Sequence, residues 1–187
     1  MLLGRVECLL GELESARARA RDGQQTAEQS GQETLFAYNL ALEGLVEAHL
    51  GNAERAREAA YGALTGAPET GGRPAELVAR EALGHLELVL GAPDAALSWL
   101  APGVAFARRE GIAEPAAIRL VGDQIEALLE LGRRNEAVEL LDWYEENARR
   151  LERASAIATC SRCRGLLAAQ DGSLDASIAA CRRAHLA

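Results

Sequence analysis

The residues of this 187-residue chain that are best equipped for chemistry are few, and most stand apart. Cys160 and Cys163 form a Cys-x-x-Cys, the spacing by which two thiolates grip zinc or alternate between dithiol and disulfide. A zinc tetrahedron needs two further ligands, and neither a second cysteine pair nor a His-x-x-His completes it. The redox version opens a helix after a strand, whereas here the pair falls inside a predicted helix with no strand before it. Core or surface thiols are therefore favoured over a metal or redox centre. His49, His85 and His185 are scattered, without catalytic or metal-binding spacing. Glu81 and His85 lie four apart and make a candidate acid–base pair, against which a solvated contact one helical turn apart is the commoner outcome. The doublets Arg108-Arg109, Arg133-Arg134, Arg149-Arg150 and Arg182-Arg183 each lie near Glu or Asp and read as solvated helix ends. No nucleophile with a neighbouring base can be assembled, and a phosphate-binding G-x-x-x-x-G-K-[ST] is impossible in a chain without lysine. These observations predict a protein that is not an enzyme and carries no metal and no cofactor.

Composition narrows the class further. With 28 acidic against 20 basic residues the formal charge is −8, which repels a phosphate backbone and offers no counterion release, so this segment is expected not to bind nucleic acid. Every basic residue among the lysines and arginines is Arg, a bias pointing to a GC-rich bacterial genome. The chain is 49% hydrophobic but only 4% aromatic, its apolar mass being mostly Ala and Leu, the strongest helix formers. Short alternating runs of β-branched and aromatic residues are missing, which excludes an all-β fold. No stretch approaches the roughly 18 apolar residues of a membrane span, and MLLGRVECLLGELE acquires acids too early for a signal peptide. Cys8, Cys160, Cys163 and Cys181 are too few for a disulfide framework in a chain this long. A cytoplasmic protein without membrane contact is predicted.

What positions these residues is an internal repeat. Glycine recurs at Gly11, Gly51, Gly91, Gly132 and Gly172, in steps of forty or forty-one residues, each time ending an apolar segment such as VECLLG, LVEAHLG or LELVLG. Five residues later stands a small residue, Ala16, Ala56, Ala96, Ala137 or Ser177, suited to close helix approach. A second register lies seven before the first, at Gly44, Gly84 and Gly165 with Ile125 in the fourth unit, and a third runs through Gly31, Gly71 and Gly111. Each unit thus reads as helix A, a tight glycine turn, helix B, then a loop. Helices are predicted over 2–10, 12–30, 33–50, 52–65, 74–90, 93–109, 114–131, 133–151, 153–170 and 173–186 from apolar residues at three- and four-residue steps. Pro102 with Gly103 is expected to kink or break the sixth. Gly91 suits a left-handed cap, Pro93 a first helical turn, and Asn52, Asn135 and Ser173 are candidate N-caps, with Glu54, Glu136 and Asp175 set near helix N-termini.

The predicted fold is therefore all-α: tandem antiparallel helix hairpins of period forty forming one right-handed curved solenoid over residues 1–187, in units of approximately 1–30, 31–70, 71–110, 111–151 and 152–187. Trp99 and Trp143 fall on B helices and are assigned to packing between units. Solenoid end repeats normally need a polar cap, and Ile178 and Leu186 have no later unit to cover them, so self-association through exposed ends is expected.

The two-glycine spacing of seven, the small residue five further on and the A/B hairpin resemble the tetratricopeptide repeat, stretched to forty residues. More narrowly, ALGHLELVLGAPDAALSWLAPGVAFARREGIAEPAAIRLVGDQIEALLELGRRNEAVELLDWYEENARRLER and CRGLLAAQDGSLDASIAACRRAH look like the repeat region of large ATP-binding LuxR-family transcriptional activators. The resemblance spans most of residues 33–187, and its most telling elements are Gly111-Ile112-Ala113-Glu114-Pro115, Glu126-Ala127-Leu128 and Cys163-Arg164-Gly165-Leu166-Leu167. It implies a nucleotide-binding module before the repeats and a helix-turn-helix after them, and this chain reads as a fragment of such a protein. By the tetratricopeptide analogy the concave groove is lined by Ala41 and Leu45, Glu81 and His85, Gly122 and Glu126, and Arg162 and Leu166, with Leu88 and Leu129 extending the apolar wall. Such a groove suits a polar small molecule, a sugar or a basic protein surface better than an anion. The resemblance thus implies a signal-sensing, partner-binding regulatory segment, the alternative being a stand-alone adaptor that scaffolds a protein complex.

Overall fold

A computed structural model of the chain describes residues 2–66 and 72–186. Its helices are α1 (Leu2–Leu9), α2 (Leu13–Gln29), α3 (Glu33–His49), α4 (Ala53–Gly66), α5 (Arg73–Val89), α6 (Pro93–Arg109), α7 (Leu120–Glu130), α8 (Arg134–Arg150), α9 (Ala154–Gln170) and α10 (Leu174–Leu186), with a 3-10 turn at Pro115–Ala117 before α7. Among the described residues there is no strand, and no helix is long and apolar enough to cross a membrane. The chain divides into two compact units, Met1–Ala92 and Pro93–Ala187.

One turn ends helix after helix. Gly11, Gly31, Gly51, Gly91, Gly111, Gly132 and Gly172 all have φ between 65° and 80°, and Glu152 takes the same left-handed conformation at φ 53°. After each of these residues the next amide donates to the carbonyl five residues earlier, as Asn52 N to Glu47 O at 2.9 Å, Arg133 N to Leu128 O at 2.8 Å and Arg153 N to Ala148 O at 2.9 Å. This Schellman arrangement satisfies carbonyls that the helix end would otherwise leave open. The first and third glycine registers are thus one series at about twenty-residue steps, in which Glu152 stands where the pattern elsewhere has glycine. Gly71, which belongs to the same series in the sequence, lies outside the described residues.

In the first unit α3 is the central element. Ala41, Leu42, Leu45 and Val46 are closed to solvent, and α2, α4 and α5 pack around it. The helices facing it present alanine: Ala16 and Ala20 on α2, and Ala56, Ala60 and Ala63 on α4. A Cβ at Gly44 would stand 3.0 Å from the Ala60 amide nitrogen and 3.2 Å from the Ala56 carbonyl, so the second glycine register and the small-residue register meet. Gly4 stands forty residues before Gly44 and faces Leu42, Arg19 and Ala16. In the second unit Ile118, Leu120, Val121 and Ile125 are buried, as are Leu141 and Tyr144 of α8 and Cys160 and Cys163 of α9, and α7 packs against both α8 and α9.

Local chemistry departs from expectation at four places. The sequence pattern predicts a helix from 114, but Glu114 is extended (ψ 108°), as a residue before proline prefers, and the regular helix begins only at Leu120. Helix α6 runs unbroken through Pro102, which faces solvent, where water can take the carbonyl that its missing N–H leaves open. Asn135 lies inside α8, and the residue at its N-cap is Arg133. Asn52 spends its side chain on Glu47, to which its Nδ2 donates at 2.7 Å. Glu54, Glu136 and Asp175 do stand in first helical turns, and Pro93 opens α6.

Candidate functional site

The residues assigned to a groove fall into two groups, one in each compact unit. In the first, Ala41 and Leu45 come from α3 and Glu81 and His85 from α5. Leu45 is only 2% exposed and serves the core, so it is not a surface open to a ligand. Glu81 is paired from a third helix. Its Oε2 accepts from Arg5 Nη2 of α1 at 2.5 Å, and both side chains are 12% exposed. Burial works against the charge on Arg5, but Glu81 outweighs it and the guanidinium pKa stands above its ordinary value. Tyr38 of α3 lies near both, its hydroxyl pKa raised chiefly by burial.

His85 also has a neighbour that sequence spacing did not reveal. Its ring lies 4.2 Å, centroid to centroid, from that of His49 on α3, tilted by 48°. Thirty-six residues separate them in the chain, but the last turn of α3 packs beside α5 and brings the rings together. His185, the third, has a side chain outside the described residues.

In the second unit Gly122 and Glu126 come from α7, and Arg162 and Leu166 from α9. Arg162 Nη1 donates to Glu126 Oε2, and Asp123 lies 3.9 Å from the other amino nitrogen. A Cβ at Gly122 would meet the Thr159 methyl at 2.7 Å, so the glycine lets α9 close onto α7 and carries Arg162 to the carboxylates. Leu166 is half-buried and Leu129 fully buried. The predicted residues of this unit thus stand together, but as a matched ion pair and not as open charges.

No protein-family model matches the sequence, and no curated protein matches it. Function is therefore argued from the chain's own groups.

The Cys-x-x-Cys lies inside α9 as expected, with both thiols buried and unbridged. Burial pushes the Cys160 thiol up to about 12, with Glu145 adding to the effect. It likewise pushes Cys163 up to about 11. Such thiols hold their protons at neutral pH and are poor nucleophiles. No group of three or more His, Cys, Asp or Glu suited to a metal ion occurs among the described residues. Trp143 packs under the Arg108 guanidinium, 5.5 Å from its ring centroid.

The arginine doublets are mostly the solvated helix ends foreseen. Arg108 reaches Glu139, Arg133 reaches Glu136, and Arg134 reaches Asp171. Two of them do more. Arg149 of α8 and Arg183 of α10, together with Arg164 of α9, line a cleft of about 550 Å³, completed by Glu145, Ile157 and Ser161.

Proposed function

We propose that the chain is a non-catalytic binding module built of tetratricopeptide-like hairpins of about forty residues stacked as a solenoid, and that it serves as the signal-sensing, partner-contacting segment of a cytoplasmic bacterial LuxR-type transcriptional activator. The observation that carries the binding part is the state of the polar residues on the A helices. Glu81 is held by Arg5 and Glu126 by Arg162, each pair joining two different A helices of its unit. A carboxylate matched to a guanidinium in this way is not a free general base, whereas it is well suited to exchange partners with an incoming polar or charged group. The protonated, buried thiols favour the same reading. The regulatory part rests on the sequence resemblance alone and is an analogy of family.

Two experiments test the two parts separately. Reading the gene on both sides of this segment for a nucleotide-binding module upstream and a helix-turn-helix downstream decides the regulator, and stop codons at both ends would remove it. Glu126→Ala and His85→Ala should leave helicity almost unchanged while weakening capture of the activator's inducer or protein partner. Turnover of any substrate that is lost on changing Glu81 or His85 would overturn the non-catalytic reading.

A further inference from the structure

The chain as a whole is acidic, but its charge is unevenly spread. Residues 149–187 contain seven arginines against three acidic residues, in a protein whose totals are 20 and 28. Three of those cations or their neighbours converge in space. Arg149 from the last turn of α8, Arg164 from the middle of α9 and Arg183 from α10 line one cleft, with the Ser161 hydroxyl beside them and Ile157 as an apolar patch. Among the described residues the lining holds a single acid, Glu145. It accepts from Arg149 through Oε1 at 2.5 Å and from Arg164 through Oε2 at 2.7 Å, and Arg164 also reaches Asp142 outside the cleft. The Arg183 side chain is exposed and, among the described residues, makes no ion pair.

We propose that this cleft is a binding site for a small phosphate-bearing molecule, distinct from the A-helix residues of the functional reading above. Three features select that chemistry. Guanidinium groups arriving from three helices present several forked N–H donors to one volume, the geometry that phosphate oxygens fill and a single carboxylate does not exhaust. About 550 Å³ is the size of a small-molecule pocket. Glu145 occupies the position an external anion would take between Arg149 and Arg164, acting as an internal placeholder that a dianion outcompetes by engaging Arg183 and Ser161 as well.

That arrangement makes a prediction of opposite signs for neighbouring residues. The purified full chain is titrated with inorganic phosphate and, in a parallel arm, with glycerol 3-phosphate, at ionic strength held constant with NaCl, reading the dissociation constant by calorimetry and the fold by circular dichroism. Phosphate should bind saturably. Arg183→Gln should weaken it about tenfold, the loss of one charge-assisted contact, and Arg149→Gln similarly. Both side chains are largely solvent-exposed, so the fold should be kept. Glu145→Gln should tighten phosphate binding severalfold, because it removes the competing carboxylate and leaves every arginine in place. Tighter binding of glycerol 3-phosphate than of phosphate identifies a phosphorylated small molecule as the ligand, and equal or weaker binding overturns that and leaves a site for the free ion. No saturable binding by the wild-type chain, or unchanged affinity in Arg183→Gln, would overturn the site.

Discussion

Glu152 is the test case for the turn that shapes the chain. Its φ of 53° puts a residue with a Cβ in the left-handed region that the glycines of the same series occupy at 65–80°. An L-residue there costs about 1–2 kcal/mol relative to glycine from the contact of Cβ with the backbone carbonyl. Replacing it by glycine relieves that strain but gives the unfolded chain more freedom, which costs about 0.5–1 kcal/mol. The Glu152 side chain is exposed, so its removal adds little. Glu152→Gly should therefore stabilise the protein by about 0.5–1 kcal/mol, an increase of about 1–4 °C in Tm for a chain of this size. Gly91→Val is the reverse experiment. A Cβ at Gly91 would meet nothing within 4 Å, so neighbouring atoms exert no steric penalty and the whole cost is backbone strain at φ 74°. It should exceed 1 kcal/mol because valine is β-branched. Urea melts followed at the helix band read both. A Glu152→Gly variant that is no more stable than the wild type, together with a Gly91→Val variant that melts normally, would refute the view that left-handed turns set the helix boundaries.

Arg5→Met alone should destabilise by about 3 kcal/mol, because it leaves Glu81 buried without its partner, while Arg5→Met with Glu81→Leu should recover most of that loss in a thermal melt. A thiol reagent under native conditions should label Cys181, the one exposed cysteine, and spare Cys8, Cys160 and Cys163 until urea is added; rapid native labelling of the Cys160–Cys163 pair would contradict its burial. Hydrogen bonds from Arg153, helped by the Ala116 amide, hold the Glu114 carboxyl below its ordinary range. The stabilisation this gives is therefore present above the pKa of an unfolded glutamate and is lost as pH falls through the lower folded value, so Arg153→Gln should flatten the acid side of a stability-against-pH curve below about pH 5. Leu3, Val6 and Leu9 of α1 and Leu174 and Ile178 of α10 are exposed, so light scattering should show association that rises with concentration and is reduced by Val6→Glu; a strict monomer would count against it. The Leu186 side chain, assigned to the same end face, lies outside the described residues.

Much of the fold was legible because glycine does its work locally. A left-handed turn is decided within five or six residues, so a glycine ending an apolar run is a signal that sequence carries in full, and the helices fall within a few residues of prediction apart from the start of α7. That start was lost because Pro115 acts on Glu114 before it, and Ile118 is then drawn into the core. Asn52 misled for a different reason: a capping side chain can be recruited by any buried acid nearby, and Glu47 is wholly buried in the next turn back. Glu152 hid a member of the turn series because its conformation is enforced by the helices on either side and not by its own type. The site was less legible than the fold because its contacts are remote in the chain. Arg5 and Glu81 are 76 residues apart and Arg162 and Glu126 are 36 apart, and no spacing rule announces a partner on another helix.

On the proposed reading, these partners change what recognition on the A helices requires. Read as open charges, Glu81 and Glu126 would attract any cation, with an affinity that salt erodes. Held by Arg5 and Arg162, they offer little field at a distance, and a ligand gains only the difference between its own contact and the ion pair it displaces. Such a site selects by geometry: an incoming group must satisfy the carboxylate and leave the released guanidinium a new acceptor, or bear the cost of a stranded charge. At the 12%-exposed Arg5–Glu81 pair that cost is large, and one nitrogen of Arg5, Nη1, is already buried without a hydrogen-bond partner. At Arg162–Glu126, where the side chains are 42% and 28% exposed, water can serve the released group. Exchange is therefore easier in the second unit, and Glu126→Gln should alter partner binding with less loss of stability than Glu81→Gln. Equal destabilisation by the two substitutions would show that burial does not set the difference between the two pairs.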